Sequence, residues 1–163
     1  MRDDRINSFW ENIRDVYNFI IEKNMDYLNW RYCDPRGGFY KILLAEDNDK
    51  VIGYIVYKVN RFREEYHRGN IMEALALPDR EDAIEALVQE VITRFDLLNV
   101  NIVHAQIIKG HSYQAILKRH GFVDSRVKPY LTYRPVALGE ELEKFVNASP
   151  ERLNYQYGES DSV

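Results

Sequence analysis

Cysteine occurs once, as Cys33, so the chain holds no internal disulfide, and this usage suits a reducing compartment. There is no basic excess. Lysine and arginine number 22 against 26 aspartates and glutamates, a formal net charge of −4, which excludes the charge signature of a general nucleic-acid binder. Long hydrophobic runs are missing as well: the longest, such as ILLA and YIVY, are far too short to cross a bilayer. The opening MRDDRINSFWENIRD is charged and has no apolar core of the kind a secretory signal needs. The expectation is a soluble cytoplasmic domain with neither nucleic acid nor membrane as a partner.

Chemical motifs are equally scarce. His67, His104, His111 and His120 show no H-x-x-x-H or H-E-x-x-H spacing, so no metal site is expected. No G-x-S-x-G elbow, phosphate-binding P-loop or dinucleotide fingerprint occurs. Cys33 needs a positioned base to act as a nucleophile; a lone semi-buried thiol is the commoner state. The basic residues of KVNRFREEYHRG alternate with Glu64 and Glu65, which reads as a solvated hairpin loop.

What is present is a core. The chain has 163 residues, 45% hydrophobic and 13% aromatic, enough for one well-packed domain without repeats or low-complexity linkers. Ile6, Phe9, Trp10 and Ile13 share one face of a helix over 3–15. DVYNFIIEKN either extends that helix or forms a short strand, and MDYLNWRYCDP reads as a short helix stopped by Pro35. YKILLAE and VIGYIVYKV flank the turn residues DNDK and predict a β-hairpin. The charged connection NRFREEYHRGN leads to a third strand, IMEALAL. Ile84, Leu87, Val88, Val91, Phe95 and Leu98 mark a long helix, with Asp79 as its expected N-cap and Asn99 as its C′ residue. VNIVHAQII is a further strand. A strand–helix–strand crossover favours parallel pairing of 71–77 with 102–108. In AILKRHGF a helix ends on Gly121, a left-handed C′ residue, with Phe122 folding back on Leu117. A last strand is expected near SRVKPYLTYRPV and a helix over 138–147, with NYQYGESDSV as a loose tail.

This order of elements, over roughly residues 40–135, resembles the GNAT-type acyltransferases. VIGYIVYK looks like the central hairpin strand of that fold and AILKRHGF like its penultimate helix. YLNWRYCDP followed by YKILLAEDNDKVIGYIVYK, and the tail YQYGESDSV, resemble a subgroup of single or tandem GNAT-like proteins. The resemblance implies an α/β (α+β) fold: a mixed sheet with a splayed parallel strand pair, flanked by helices, forming a single domain over 1–147 with a tail at 148–163. It implies acetyl-CoA or another acyl-CoA as cofactor and an unidentified small-molecule or peptide amine as acceptor. A protein partner or a homodimer is the further partner considered.

In the family the splayed strands hold the pantetheine arm, which assigns Leu75, Ala76 and Leu77 here, with Ala83 near the pyrophosphate loop. The usual loop is Q/R-x-x-G-x-G/A. This chain has LPDREDAIEAL, with Arg80 but neither glycine; Ala83 and Glu85 stand near those positions. Asp79, Glu81 and Asp82 suit the helix dipole and disfavour a pyrophosphate. Many members carry a proton-donating tyrosine where this chain has Leu117; Tyr113, one helical turn earlier, is the candidate substitute, against a packing role. Glu73 lies in the strand that often supplies the general base, against a plain carboxylate on a strand's polar edge. Arg31 and Tyr32 line an acceptor site, with Arg31 gripping an anionic group, or else Trp30 is core, Tyr32 bonds through its hydroxyl and Arg31 ties helix to sheet. Two functions stay open: an acyl-CoA-dependent N-acyltransferase, or a non-catalytic GNAT-like binding module that has lost ordinary CoA use.

Overall fold

The hairpin forms where the sequence places it. Strands β1 (Lys41–Asp47) and β2 (Lys50–Arg63) pair antiparallel. At the tip Asn48 and Asn48's neighbour Asp49 have φ of 49° and 62°, the two left-handed residues of a turn whose twist matches the strands. The computed structural model describes residues 3–63, 66–125 and 139–159. The expected strand near 125–136 lies almost wholly outside them.

Of the charged run expected as a loop, the residues up to Arg63 and from Tyr66 onward are instead strand. β3 (Tyr66–Ala76) pairs antiparallel with β2 as far as Arg63↔Tyr66, because neighbouring strands extend by backbone pairing while their charged side chains alternate. β4 (Ile102–Ala105) lies parallel to β3, completing the order β1-β2-β3-β4 among the described residues. The parallel direction is as expected. The register is earlier, from Arg68↔Ile102 to Ile71↔Ala105, so β3 runs on past the end of β4. The two strands splay there.

Between β3 and β4, helix α3 (Glu81–Leu97) buries Ala83, Ile84, Leu87, Val88, Val91 and Phe95 on one face of the sheet, against Ile55, Tyr57, Ile71 and Ala74. Asn99, with φ of 51°, follows the helix as expected. Gly69 is a close-approach glycine: a Cβ there would stand 2.9 Å from the Phe95 ring. The opposite face is covered by α1 (Arg5–Ile13), whose Ile6, Phe9, Trp10 and Ile13 pack with Tyr54, Val56, Met72 and Leu75. Helix α2 (Met25–Leu28), capped by the Asn24 side chain, runs into a wide helical turn at Asn29–Cys33 that ends before Pro35.

Asp79 is not the N-cap of α3. It adopts a left-handed φ of 61°, and Arg80 precedes the helix without a side-chain cap bond. The Arg80 guanidinium instead pairs with Asp47 at 2.9 Å and Asp82 at 3.0 Å. The stop in AILKRHGF is realised in full. Helix α4 (Tyr113–Arg119) closes with Phe122 N–H donating to Leu117 O at 3.1 Å and Gly121 N–H to Lys118 O at 3.1 Å, with Gly121 at φ 85°.

The segment 15–24 neither prolongs α1 nor joins the sheet. It runs beside residues after helix α5 (Glu140–Val146), with a single parallel bridge, Phe19↔Leu153. Asn18 N–H donates to Arg152 O at 2.7 Å and Asn154 N–H to Phe19 O at 2.8 Å. The expected loose tail is therefore corrected over 154–159: Asn154, Gln156 and Gly158 are buried.

Candidate functional site

Glu73 stands on β3 with no solvent exposure, on the face toward α1 and α2. Its Oε2 accepts from the Tyr32 hydroxyl at 2.7 Å and from Lys23 Nζ at 2.9 Å, and its Oε1 accepts from the Tyr54 hydroxyl. Lys23, equally buried, also donates to Glu159 Oε1 at 2.7 Å and lies 4.7 Å from the Tyr27 ring centroid. Glu159 Oε2 in turn accepts from the Gln156 backbone N–H. Burial opposes the charge on Lys23, but Glu73 and Glu159 outweigh it and hold the pKa above the ordinary lysine value. Burial raises the Glu159 carboxyl, and Lys23 works against that rise. Burial, then the Glu73 charge, raises the Tyr32 and Tyr54 phenols, which stay protonated donors. A carboxylate filled in this way is a structural centre tying three elements together. It has no free edge toward a cavity.

A cavity among the described residues lies elsewhere, at the C-terminal end of β3. A cleft of about 140 Å³ is lined by Val16, Tyr17, Ala76, Leu77, Pro78 and Tyr113, with Asp79, Glu81, Glu151 and His111 also contributing. The Tyr113 hydroxyl accepts from Ala76 N–H at 3.1 Å. Burial, then the neighbouring Tyr17, pushes its pKa well above the ordinary phenol value. His111 Nδ1 accepts from Tyr113 N–H at 3.2 Å, which leaves the proton on Nε2, and burial lowers its pKa to about 4. Tyr17 stacks on the His111 ring at 6.2 Å between centroids.

Of the sequence candidates, Tyr113, Ala76 and Leu77 meet at this cleft, and Glu73 does not. Leu75 is buried in the α1-side core and Ala83 in the α3-side core. Arg31 donates from Nε and Nη2 to Gly158 O at 2.9 and 2.8 Å, and Tyr32 binds Glu73, so both tie the helical segment to the rest of the fold. Trp30, expected in the core under that structural account, is 68% exposed. Lys23, Tyr54, Gln156 and Glu159 were not anticipated. Each owes its place to partners far away in the chain, and no local pattern marks them. Among the described residues no group of His, Cys, Asp and Glu is arranged to hold a metal.

An acyl-CoA meets a divided seat here. The apolar part of the cleft has room for a short thioester. The seat for the pyrophosphate does not fit: Asp79 and Glu81 line the cleft, and the Arg80 charge is engaged by two carboxylates. The strand edge that would bind the pantetheine arm is filled from within. The Gln156 side chain accepts from Ala74 N–H at 2.9 Å and donates to Ala74 O at 2.7 Å.

No family model and no curated protein matches the sequence. Solved structures match its fold. An aminoglycoside acetyltransferase from an uncultured soil metagenomic sample aligns at TM-score 0.55 and 15% identity, covering 80% of this chain and 87% of its own. The aminoglycoside 6'-N-acetyltransferase AAC(6')-IG of Acinetobacter haemolyticus aligns at 0.56 and 10%, covering 83% and 96%. A ribosomal-protein-alanine N-acetyltransferase of Brucella melitensis biovar Abortus 2308 aligns at 0.56 and 9%, covering 79% and 93%. With the four-stranded mixed sheet of its described residues, its parallel pair and flanking helices, the chain has the fold of the GNAT-type acetyltransferases.

Proposed function

We propose that the chain is an N-acyltransferase that takes an acyl group from a thioester, acetyl-CoA or another acyl-CoA, reaching the cleft at the end of β3, and passes it to an amine. The position of Tyr113 carries this reading. Its hydroxyl accepts from Ala76 N–H and donates to the hydroxyl of Tyr17, which lines the same cleft, and its raised pKa keeps the proton in place at neutral pH. A hydroxyl so placed is suited to protonate a departing thiolate. Ala76 and Leu77 form the wall beside the thioester, and Ala83 supports the start of α3 from the core. The carboxylates Asp79, Glu81 and Glu151 attract the ammonium form of an acceptor, a small-molecule or peptide amine. Glu73 keeps the strand and its helices in register and takes no proton from the acceptor.

A second reading, a GNAT-fold binding module without acyl transfer, is favoured by the Gln156 side chain on the Ala74 edge. Thermal unfolding separates the two. Acetyl-CoA and S-acetyl-pantetheine, which lacks the nucleotide, are each added in excess; at about 100 times its dissociation constant a ligand stabilises by about 2.7 kcal/mol. Comparable shifts with both, and amine acylation that falls in Tyr113→Phe, support the enzyme. No shift with either and no acylated amine across a panel support the module.

A further inference from the structure

The segment 15–24 brings a second phenol to the cleft. Tyr17 and Tyr113 both line it, and the His111 ring holds them in place. Tyr17 stacks on that ring at 6.2 Å between centroids, and Tyr113 meets it edge-on at 4.6 Å. The segment is fixed from the other end of the chain, through Asn18 N–H on Arg152 O and Asn154 N–H on Phe19 O. The hydroxyls form a directed chain. Ala76 N–H donates to Tyr113, and Tyr113 donates to Tyr17. A phenol has one proton to give, and Tyr113 gives its own to Tyr17. Among the described residues the chain ends there, and the Tyr17 proton is left for the cleft.

The surroundings also favour Tyr17 as the group that ionises. Burial, then Tyr17, pushes the Tyr113 phenol well above its ordinary range. Burial raises Tyr17 too, but Tyr113 and then the Asn154 amide work against that rise. Asn154 is 1% exposed, and its side-chain nitrogen has no hydrogen-bond partner among the described residues. An idle buried donor is costly. Beside a phenol it becomes useful when the oxygen turns negative, as donors do wherever charge develops in a reaction. His111 does not compete for this role. Its Nδ1 is engaged by Tyr113 N–H, and with a pKa of about 4 the ring is neutral, so its remaining N–H is no acid at neutral pH.

We propose that Tyr17 is the general acid of the cleft: its hydroxyl protonates the departing thiolate, while the Tyr113 hydroxyl and the Asn154 amide support the Tyr17 oxygen. The assignment rests on the acyl-transfer reading and moves the delivered proton one hydroxyl on from Tyr113. The amine nitrogen attacks the thioester carbonyl carbon and forms the C–N bond, and the C–S bond breaks with its electron pair on sulfur. Sulfur takes the Tyr17 proton, and the proton shed by nitrogen restores Tyr17. Thioester and amine become amide and thiol with no further reactant.

The test is acylation of a panel of alkylamines and lysine peptides by the full chain, with S-acetyl-pantetheine or acetyl-CoA as donor, in ordinary and in heavy water. Tyr17→Phe keeps the ring on His111. It should slow acylation by about a hundredfold, a usual size for general-acid catalysis, with KM unchanged and the parent's heavy-water effect lost. Tyr113→Phe should slow it less and keep that effect, because Tyr17 remains. Equal rates in parent and Tyr17→Phe, a parent without a heavy-water effect, or an effect that vanishes in Tyr113→Phe overturn the assignment to Tyr17 and leave acyl transfer standing. The Tyr113→Phe comparison decides alone if Tyr17→Phe does not fold. A parent chain that acylates no amine overturns both.

Discussion

Replacing Lys23 with Met keeps the length of the side chain and removes its charge. Lys23 Nζ lies 2.9 Å from Glu73 and 2.7 Å from Glu159, and all three side chains have no exposure. Without the cation two buried carboxylates face one another with only hydroxyl and amide donors left. Breaking a buried ion pair from one side costs about 3–5 kcal/mol. That is a large share of a domain's usual stability of roughly 5–15 kcal/mol. For a chain of this size each kcal/mol moves the melting temperature by about 2–4 °C, so Lys23→Met should melt roughly 6–20 °C lower. The loss also depends on pH. Loss of the cation raises the folded Glu159 carboxyl, already lifted by burial, further above the unfolded value of about 4.3. Such groups favour the fold at low pH and lose that contribution as the pH rises through the folded pKa. The deficit against the parent protein, measured by urea unfolding, should therefore be smaller near pH 5 than near pH 8, and adding Glu159→Gln should recover part of it. A cost below about 1 kcal/mol, well under the range for broken buried pairs, or a deficit independent of pH, would refute the argument.

His111 adds an opposite dependence. Burial lowers its pKa from 6.5 to about 4, so the unfolded chain binds the extra proton first, and stability should fall by about 3 kcal/mol as the pH drops through that window. His111→Gln should flatten that part of the stability profile. Gln156→Ala strips both partners from the Ala74 backbone and should cost about 1–3 kcal/mol in urea unfolding; a smaller cost would mean that other groups satisfy the strand edge. Gly69→Ala drives a methyl into the Phe95 ring, at a cost of about 1–3 kcal/mol by overpacking, and Phe95→Leu in the same chain should relieve it; an unchanged melting temperature for the single variant would contradict the packing.

The hairpin, α3 and the Gly121 stop were legible because each rests on short-range patterns: turn residues, a helical period, a cap. The parallel direction of β3 and β4 followed from the crossover between them. Its register did not, since Ile71↔Ala105 pairing is decided by the bulged β2–β3 ladder beneath it. Asp79 is a good cap residue by type, yet the sharp exit from β3 uses it in a left-handed turn instead. Tyr113 could be placed at the site by its turn of helix. The surroundings of Glu73 could not be foreseen, because Lys23 and Glu159 stand 50 and 86 positions away from it in the chain. A carboxylate in a strand looks the same in sequence whether its partners are water or a buried lysine.

The placement of Glu159 also orders events during synthesis. Lys23 and Glu73 are made early, but the second carboxylate on Lys23, the Gln156 clamp on Ala74 and the Gly158 carbonyl on Arg31 all come from the stretch around 156–159. While that stretch is still inside the ribosome, the emerging chain carries an open strand edge and an incompletely matched charge. The fold therefore closes only once these residues have emerged, and before then the Ala74 strand edge stays open to pairing with other chains.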